Sequence, residues 1–439
     1  MKKLITFFIS LSCLVILFPF TASALDIKEV KSSSGVSAWL VEDHTIPVIA
    51  IKFSVNGGSS QDPTGKEGLA NLMTGLFDEG ANEMNANQFQ TKLDELGAEM
   101  SFSATIDSIN GGMRFLAEDS DKAIELLADA VQKPRFDQDA VDRIRGSVVT
   151  DVEASKKDPN TIGQLRLANM IYGDHPYSRP VKGTTESLND IKRQDLVDAH
   201  KNMFARDNLH IGIVGPISPE DASKLLDKVF GPLPEKAKLK PIADIDIKHS
   251  GTENVPYDLP QTKMFLVYPG IDRDDPDFFA AYLMNYVLGG SGLSSRLFEE
   301  VREKQGLAYS VGSSLMMYDH ANGLIIATGT KSSDVSKTLD TIATEVKKMV
   351  ENGITQEELD NAKSYVIGSY AVNTMGSSLE IASTLVGLQD QKLPIDYINK
   401  RSELINAVTL DDVKRVANKL LGGDYALLRV GPTNTPENK

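Results

Sequence analysis

The sequence predicts an α+β protein of two homologous domains, each a β-sheet covered by helices, and three observations carry that expectation. The chain has 439 residues, more than one ordinary domain of roughly 100 to 200 residues holds, and its 41% hydrophobic content suits a globular protein. Landmarks also recur far apart. Leu209-His210-Ile211-Gly212-Ile213-Val214-Gly215-Pro216 reads as a strand closing at Gly-Pro, and Tyr425-Ala426-Leu427-Leu428-Arg429-Val430-Gly431-Pro432 repeats the pattern 216 residues later. Phe136 to Asp142 has a counterpart in Ile354 to Asp360 at an offset of 218, and each opens a long helical stretch. The shared order indicates duplication of a whole domain rather than a solenoid of small units. Short β-branched runs and helical windows are mixed in the first half, which points to one sheet layered with helices per domain.

Residues 1–24 read as a secretion leader. Lys2 and Lys3 precede an apolar run from Leu4 to Phe20, and Thr21-Ala22-Ser23-Ala24 has the small-residue form of a cleavage site. The alternative is a retained anchor, because the run is near the lower limit for a bilayer span; the small residues favour cleavage, hence export to the periplasm or beyond and no stable membrane insertion. Cys13 is the single cysteine and lies inside the leader, so the remaining chain has neither disulfide nor thiolate metal site. Losing Lys2 and Lys3 takes the formal charge of −15 two units further negative. Nucleic acid is thereby disfavoured as a partner and basic peptides are favoured.

Along the first domain, Val36 to Val41 and Val48 to Val55 read as strands of a hairpin-like start around Glu42 to Pro47. Helical windows follow at 66–78, 86–97, 121–132 and 137–155. Gly231 to Pro241, rich in proline and charge, reads as a linker. The expected organisation is a domain over 25–231, a linker over 232–249 and a second domain over 250–434.

Within 66–78, Leu69, Leu72, Met73, Leu76 and Phe77 share one helical face. Asn71 and Gly75 lie four apart on another, the spacing at which two histidines grip a metal, but neither side chain is a zinc donor. The six histidines, at 44, 175, 200, 210, 249 and 320, contain no paired metal-binding spacing. A lone histidine is more often a core or surface residue. Gly75 inside a helix would cost about 1 kcal/mol relative to alanine, which suits a site of close packing.

Farther on, Gly289-Gly290-Ser291-Gly292 reads as a flexible polar loop, with Ser294 or Ser295 capping a helix over Arg296 to Lys304 and Gly306 stopping it. A strand from Leu307 to Val311 follows, with Leu307, Tyr309 and Val311 on one side.

Residues 68–80 and 289–311 resemble the pitrilysin and mitochondrial processing peptidase family of inverzincin metallopeptidases. His175 to Thr184 and Asp207-Asn208 add further landmarks, so the resemblance covers nearly all of the chain after the leader. It implies two mostly antiparallel sheets covered by helices, the processing-peptidase type of metallohydrolase. The family's His-x-x-Glu-His motif is here Asn71-Leu72-Met73-Thr74-Gly75, and Thr74 stands where the general-base glutamate belongs. A third family ligand, a downstream glutamate, falls at or near Asp151 or Glu153. The resemblance therefore implies a subunit without zinc of its own, inactive alone, that partners a homologous zinc-bearing subunit in a heterodimeric peptidase acting on unfolded or short peptides. Arg302 and Tyr309 match the family's arginine and tyrosine that contact the scissile peptide, and Gly289, Gly290 and Gly292 are candidate substrate-binding positions. Arg296 is expected to tie its helix start to a neighbouring loop. A scaffold or peptide-binding protein of the same fold is the second reading, and a peptidase with unrecognised ligands the third.

Overall fold

The computed structural model describes residues 25–432, so the expected leader and Cys13 lie outside the described residues. In the first half the strands are β1 (Ile27–Lys31), β2 (Ser37–Glu42), β3 (Val48–Asn56), a two-residue ladder of β4 (Gly80–Ala81) with β5 (Met84–Asn85), β6 (Glu99–Ala104), β7 (Ser108–Leu116) and β8 (Leu209–Gly215). The second half supplies β9 (Thr252–Pro256), β10 (Gln261–Pro269), β11 (Ala308–Met317), β12 (Asn322–Lys331) and β13 (Ala426–Gly431). The first sheet runs β1-β2-β8-β3-β7-β6 and the second, read from its β9 edge, β9-β13-β10-β12-β11. Apart from the added β1, the two orders coincide. So do the directions: β2 with β8 and β9 with β13 are the parallel pairs, and the other ladders of both sheets are antiparallel. The fold is thus α+β, two copies of one mostly antiparallel sheet with helices packed on it.

Both expected strands of the opening form, but not as a hairpin. β8 enters between them, parallel to β2 and antiparallel to β3, so the connection from Asp43 to Pro47 steps over one strand, about 10 Å at the usual spacing. The pairing partner lies more than 150 residues away in sequence, where local turn chemistry has no influence.

Period-two alternation divides each sheet between two cores. Ile49, Ile51, Phe53 and Val55 of β3 face the first half's own helices, while Ala50 joins Val41 and Val214 on the opposite face. That opposite face is covered by Ile381, Ala382 and Leu385 of the helix Ser378–Asp390, which belongs to the second half. The exchange is mutual. Met264, Leu266 and Tyr268 of β10 face the second half's helices, and Val267 with β13 residues Ala426, Leu428 and Val430 meets Leu167 and Ile171 of the helix Pro159–Tyr172 from the first half. Close approach depends on glycine in both places: a Cβ on Gly212 would lie 2.5 Å from the Ala382 carbonyl oxygen, and one on Gly163 would lie 2.9 Å from the Phe265 ring.

Residues 232–249 form neither helix nor strand and are tied to both halves. The Gln61 side chain donates to the Lys240 carbonyl and accepts from its amide at 3.0 and 2.7 Å. Ile245 N donates to His320 O at 2.9 Å, and Lys248 N to Ile171 O at 3.0 Å.

Candidate functional site

The segment matching the zinc helix forms helix only over Leu69–Thr74, shorter than the 66–78 expected. Its start is fixed by Gly68, in the left-handed region at φ 91°, and by Asp62, whose carboxylate accepts from Gly68 N at 2.8 Å and Ala70 N at 3.0 Å. Burial pushes the Asp62 carboxyl up to about 7, against the pull of those backbone donors. Its end is Gly75, crossed so closely by the helix Gln138–Ser155 that a Cβ there would meet Ile144 Cγ2 at 3.0 Å. Leu76 and Phe77 remain fully buried in tight turns beyond it. The apolar stripe survives while the helix does not, so hydrophobic spacing alone overestimated its length.

No metal chemistry follows from these residues. Thr74 is buried and spends its hydroxyl on the Asn71 carbonyl at 2.8 Å. Asp151 is exposed, and Glu153 is held by Lys156 and Thr185, which keep its carboxyl below the usual range. His200 is a core residue: its ring stacks on Phe204, Nε2 lies 2.8 Å from the Val131 carbonyl, and burial lowers its pKa. His210 pairs with Asp390 at 2.5 Å, His320 with Asp244 at 2.8 Å, and His175 meets the Ala243 carbonyl at 2.9 Å. Among the described residues no three His, Cys, Asp or Glu side chains gather as a metal-holding group. The donor set around Asn71, Thr74 and Gly75 does not fit zinc.

The second segment is ordered differently from its sequence reading. The helix Phe278–Asn285 does not give way to a loose glycine loop but widens into a π-turn over Tyr286–Gly290, where Ser291 N donates to Tyr286 O at 3.0 Å. Val287 and Leu288 extend the helix's buried face, and the missing side chain of Gly289 lets the turn lie on β11, since a Cβ there would meet Ser313 N at 2.5 Å. Gly289 is therefore occupied in packing, whereas Gly290 and Gly292 are solvent-exposed. Beside them the Oδ1 of buried Asn285 and the Oγ of Ser291 have no hydrogen-bond partner among the described residues.

Ser295 caps the next helix, accepting from Phe298 N at 3.3 Å. That helix is wound as a π-helix over Phe298–Glu303, and Gly306, at φ 61°, ends it. Arg296 ties it to the start of another helix, not to a loop: its Nε and Nη2 each reach a Glu358 oxygen at 2.6 Å, and Glu358 forms a capping box with Thr355 at the start of Gln356–Thr374.

Arg302, in the last turn, lays its guanidinium over two rings, with Cζ 4.9 Å from the Phe298 centroid and 4.7 Å from that of Tyr309. Tyr309 is 80% exposed. The register explains why. Ala308 pairs with Thr330 and Val311 with Thr328, so three steps on β11 oppose two on β12, a β-bulge. Thr328 Oγ1 pins it by donating to Ser310 O at 2.9 Å. Regular alternation would put Tyr309 and Val311 on one side; the bulge instead turns Tyr309 to solvent while Val311 stays buried. The nearest carboxylate oxygen paired with Arg302 is that of Glu303, at 3.7 Å from Nε. Among the described residues nothing is hydrogen-bonded to the Tyr309 hydroxyl. A half-buried cation and an exposed phenol donor thus stand side by side, a pair able to donate to a carbonyl or carboxylate oxygen. Phe298, four residues before Arg302, had no sequence reading as a support; its helical spacing from Arg302 was the available signal.

Family models match both halves, "Insulinase (Peptidase family M16)" over residues 38–185 and "Peptidase M16 inactive domain" over residues 190–366. The chain belongs to peptidase family M16, as a member in which the zinc motif is replaced. A Helicobacter pylori protein named non-peptidase homolog YmxG is 30% identical over 399 residues, 86% of this chain and 90% of that one. A Bacillus subtilis protein named uncharacterized zinc protease YmxG is 26% identical over 410 residues, 93% of this chain and 98% of that one. The crystal structure of a peptidase M16 inactive domain from Pseudomonas fluorescens superposes with a TM-score of 0.88 at 29% identity, covering 94% of this chain and 99% of that one.

Proposed function

We propose that this protein is the non-zinc-binding subunit of a heterodimeric metallopeptidase, holding extended peptides for cleavage by a homologous zinc-bearing partner. The observation that carries the reading is the pair Arg302 and Tyr309, presented to solvent by a π-wound helix end and a β-bulge with the tyrosine hydroxyl unbonded among the described residues. Attack on a peptide carbonyl develops negative charge on its oxygen, and a guanidinium and a phenol fixed beforehand stabilise that charge more than the neutral amide. The partner would supply the metal and the group that activates water. Substrate would join a sheet edge as an added strand, so main-chain hydrogen bonds select for extended, unfolded peptide. The leader-like residues 1–24 support a site of action outside the cytoplasm.

The name of the Helicobacter relative, a non-peptidase homolog, favours a second reading: a binding or scaffold protein that assists no cleavage. One assay separates them. The chain is mixed with a zinc-bearing family member from the same cell, zinc and an unfolded peptide. Cleavage should rise above that of the partner alone, and Arg302→Ala or Tyr309→Phe should remove most of the gain. No gain from the unsubstituted chain sinks the pairing.

A further inference from the structure

The duplication allows the same helix to be compared in its two copies. Gln138–Ser155 in the first half and Gln356–Thr374 in the second are equivalent by order and spacing. The outward residues of the first include Asp139, Asp142, Arg143, Asp151 and Glu153, an ordinary solvated face. The second begins in the same way and then changes. No charged residue occurs between Lys363 and Glu380, and the outward positions are Ser364, Tyr365, Gly368, Ala371 and Val372. Tyr365 is 59% and Val372 76% exposed. In a chain whose residues are 24% charged, this is a bare surface.

It is also joined to the polar pair. The Tyr365 ring meets Tyr286, centroids 5.4 Å apart at 34°, and Tyr286 opens the π-turn that rests through Gly289 on β11, the strand bearing Tyr309. Leu293, 74% exposed, follows directly after that turn. One segment thus carries Tyr286, Leu293, Arg302 and Tyr309, and the helix Gln356–Thr374 lies against it through Tyr365.

We propose that Tyr365, Tyr286 and Val372 form a side-chain shelf selecting extended peptides with apolar or aromatic residues, next to the main-chain grip of Arg302 and Tyr309. This rests on the peptide-holding reading above and adds to it the class of substrate. A charged side chain laid on the shelf would lose water and gain no partner, whereas an aromatic or aliphatic one removes apolar area on both sides from water. The Glu380 carboxylate borders the surface only near Gly376, at its Val372 end, and the shelf residues themselves carry no charge to hold a basic side chain.

The test uses two fluorescent peptides of equal length and terminal charge, one with Phe and Leu at alternate positions and one with Ser in their place, titrated against the purified chain by anisotropy. The apolar peptide should bind about tenfold more tightly, the value expected for partial burial of one or two such side chains. Tyr365→Glu combined with Val372→Glu should abolish that preference while leaving the weaker Ser-peptide affinity unchanged. Tyr365→Phe should keep the preference, and because both positions are exposed, unchanged circular dichroism checks the fold. Arg302→Ala should weaken both peptides alike. Equal affinity of the unsubstituted chain for the two peptides overturns the shelf and spares the grip; no binding of either overturns the grip and the shelf with it. A glutamate pair that separates a dimer of this chain in sedimentation, yet preserves the preference, also overturns the proposal, by assigning the surface to a second copy.

Discussion

Residues 68–80 and 289–311, the two segments that resemble the chemistry-bearing parts of one enzyme family, are treated oppositely by this chain. Around Thr74 everything is closed: Asp62 satisfies the helix start, the threonine hydroxyl satisfies Asn71, and Ile144 fills the space beside Gly75. Around Tyr309 irregularity is retained and turned outward, in a π-wound helix, a bulge and a guanidinium lying on an exposed ring. A bulge and π-winding disturb regular hydrogen bonding and are commonest where a side chain must be aimed. The difference teaches that a segment without its metal ligands can be absorbed into the core, whereas the segment around Tyr309 keeps geometry that packing does not require.

If the first segment is wholly structural, substitutions there should change stability and leave peptide binding per folded molecule intact. The largest effect is expected at Gly183, where φ is 76° and a Cβ would sit 2.1 Å from the Glu67 carbonyl oxygen beside the helix start; Gly183→Ala should cost ~3 kcal/mol or more in denaturant unfolding. Rebuilding the motif as Asn71→His, Thr74→Glu and Gly75→His should come next, destabilising by ~2 kcal/mol through overpacking against Ile144 and yielding well under one zinc per chain by elemental analysis. Stoichiometric zinc in that variant would break the comparison, because the segment would then be a dormant site.

Asp62 sharpens it through pH. Its folded pKa, raised to about 7, exceeds the unfolded value of about 3.9. The folded state therefore holds the extra proton, and the associated stability is complete below about pH 4 and lost as pH rises through about 7. Denaturant midpoints should fall from about pH 5 to about pH 8, and Asp62→Asn should flatten that slope while lowering stability throughout, since an amide cannot accept at both ends. The smallest effect belongs to the second segment. Arg296→Lys loses the two-pronged hold on Glu358 and should cost about 1 kcal/mol, measured by thermal melting, with the peptide preference kept.

Much of this was readable from residues. Ser295, Gly306 and the strands near 36–41 and 48–55 follow local rules of capping, stopping and β-branching. The bulge did not, because alternation read from sequence assumes a regular pleat, and the extra residue is defined only by the partner strand around Thr328 and Thr330. Nor did the length of the helix at Leu69–Thr74, which ends at Gly75 where the helix bearing Ile144, some seventy positions on, crosses it. The entry of β8 between β2 and β3 and the exposed but uncharged stretch after Lys363 likewise depend on which surfaces meet. Arg302 and Tyr309 were singled out by resemblance to a family motif; their contact, and the exposure of the ring, came only from the fold.

The crossed helices have a consequence for the chain as a whole. Because Pro159–Tyr172 roofs the second sheet and Ser378–Asp390 the first, cutting the polypeptide at its midpoint would leave each fragment with a bare hydrophobic ceiling and a stray helix. Neither piece should be soluble by itself, but the two expressed together should reassemble. The two halves of this chain are accordingly locked to one another and should move as one stiff body.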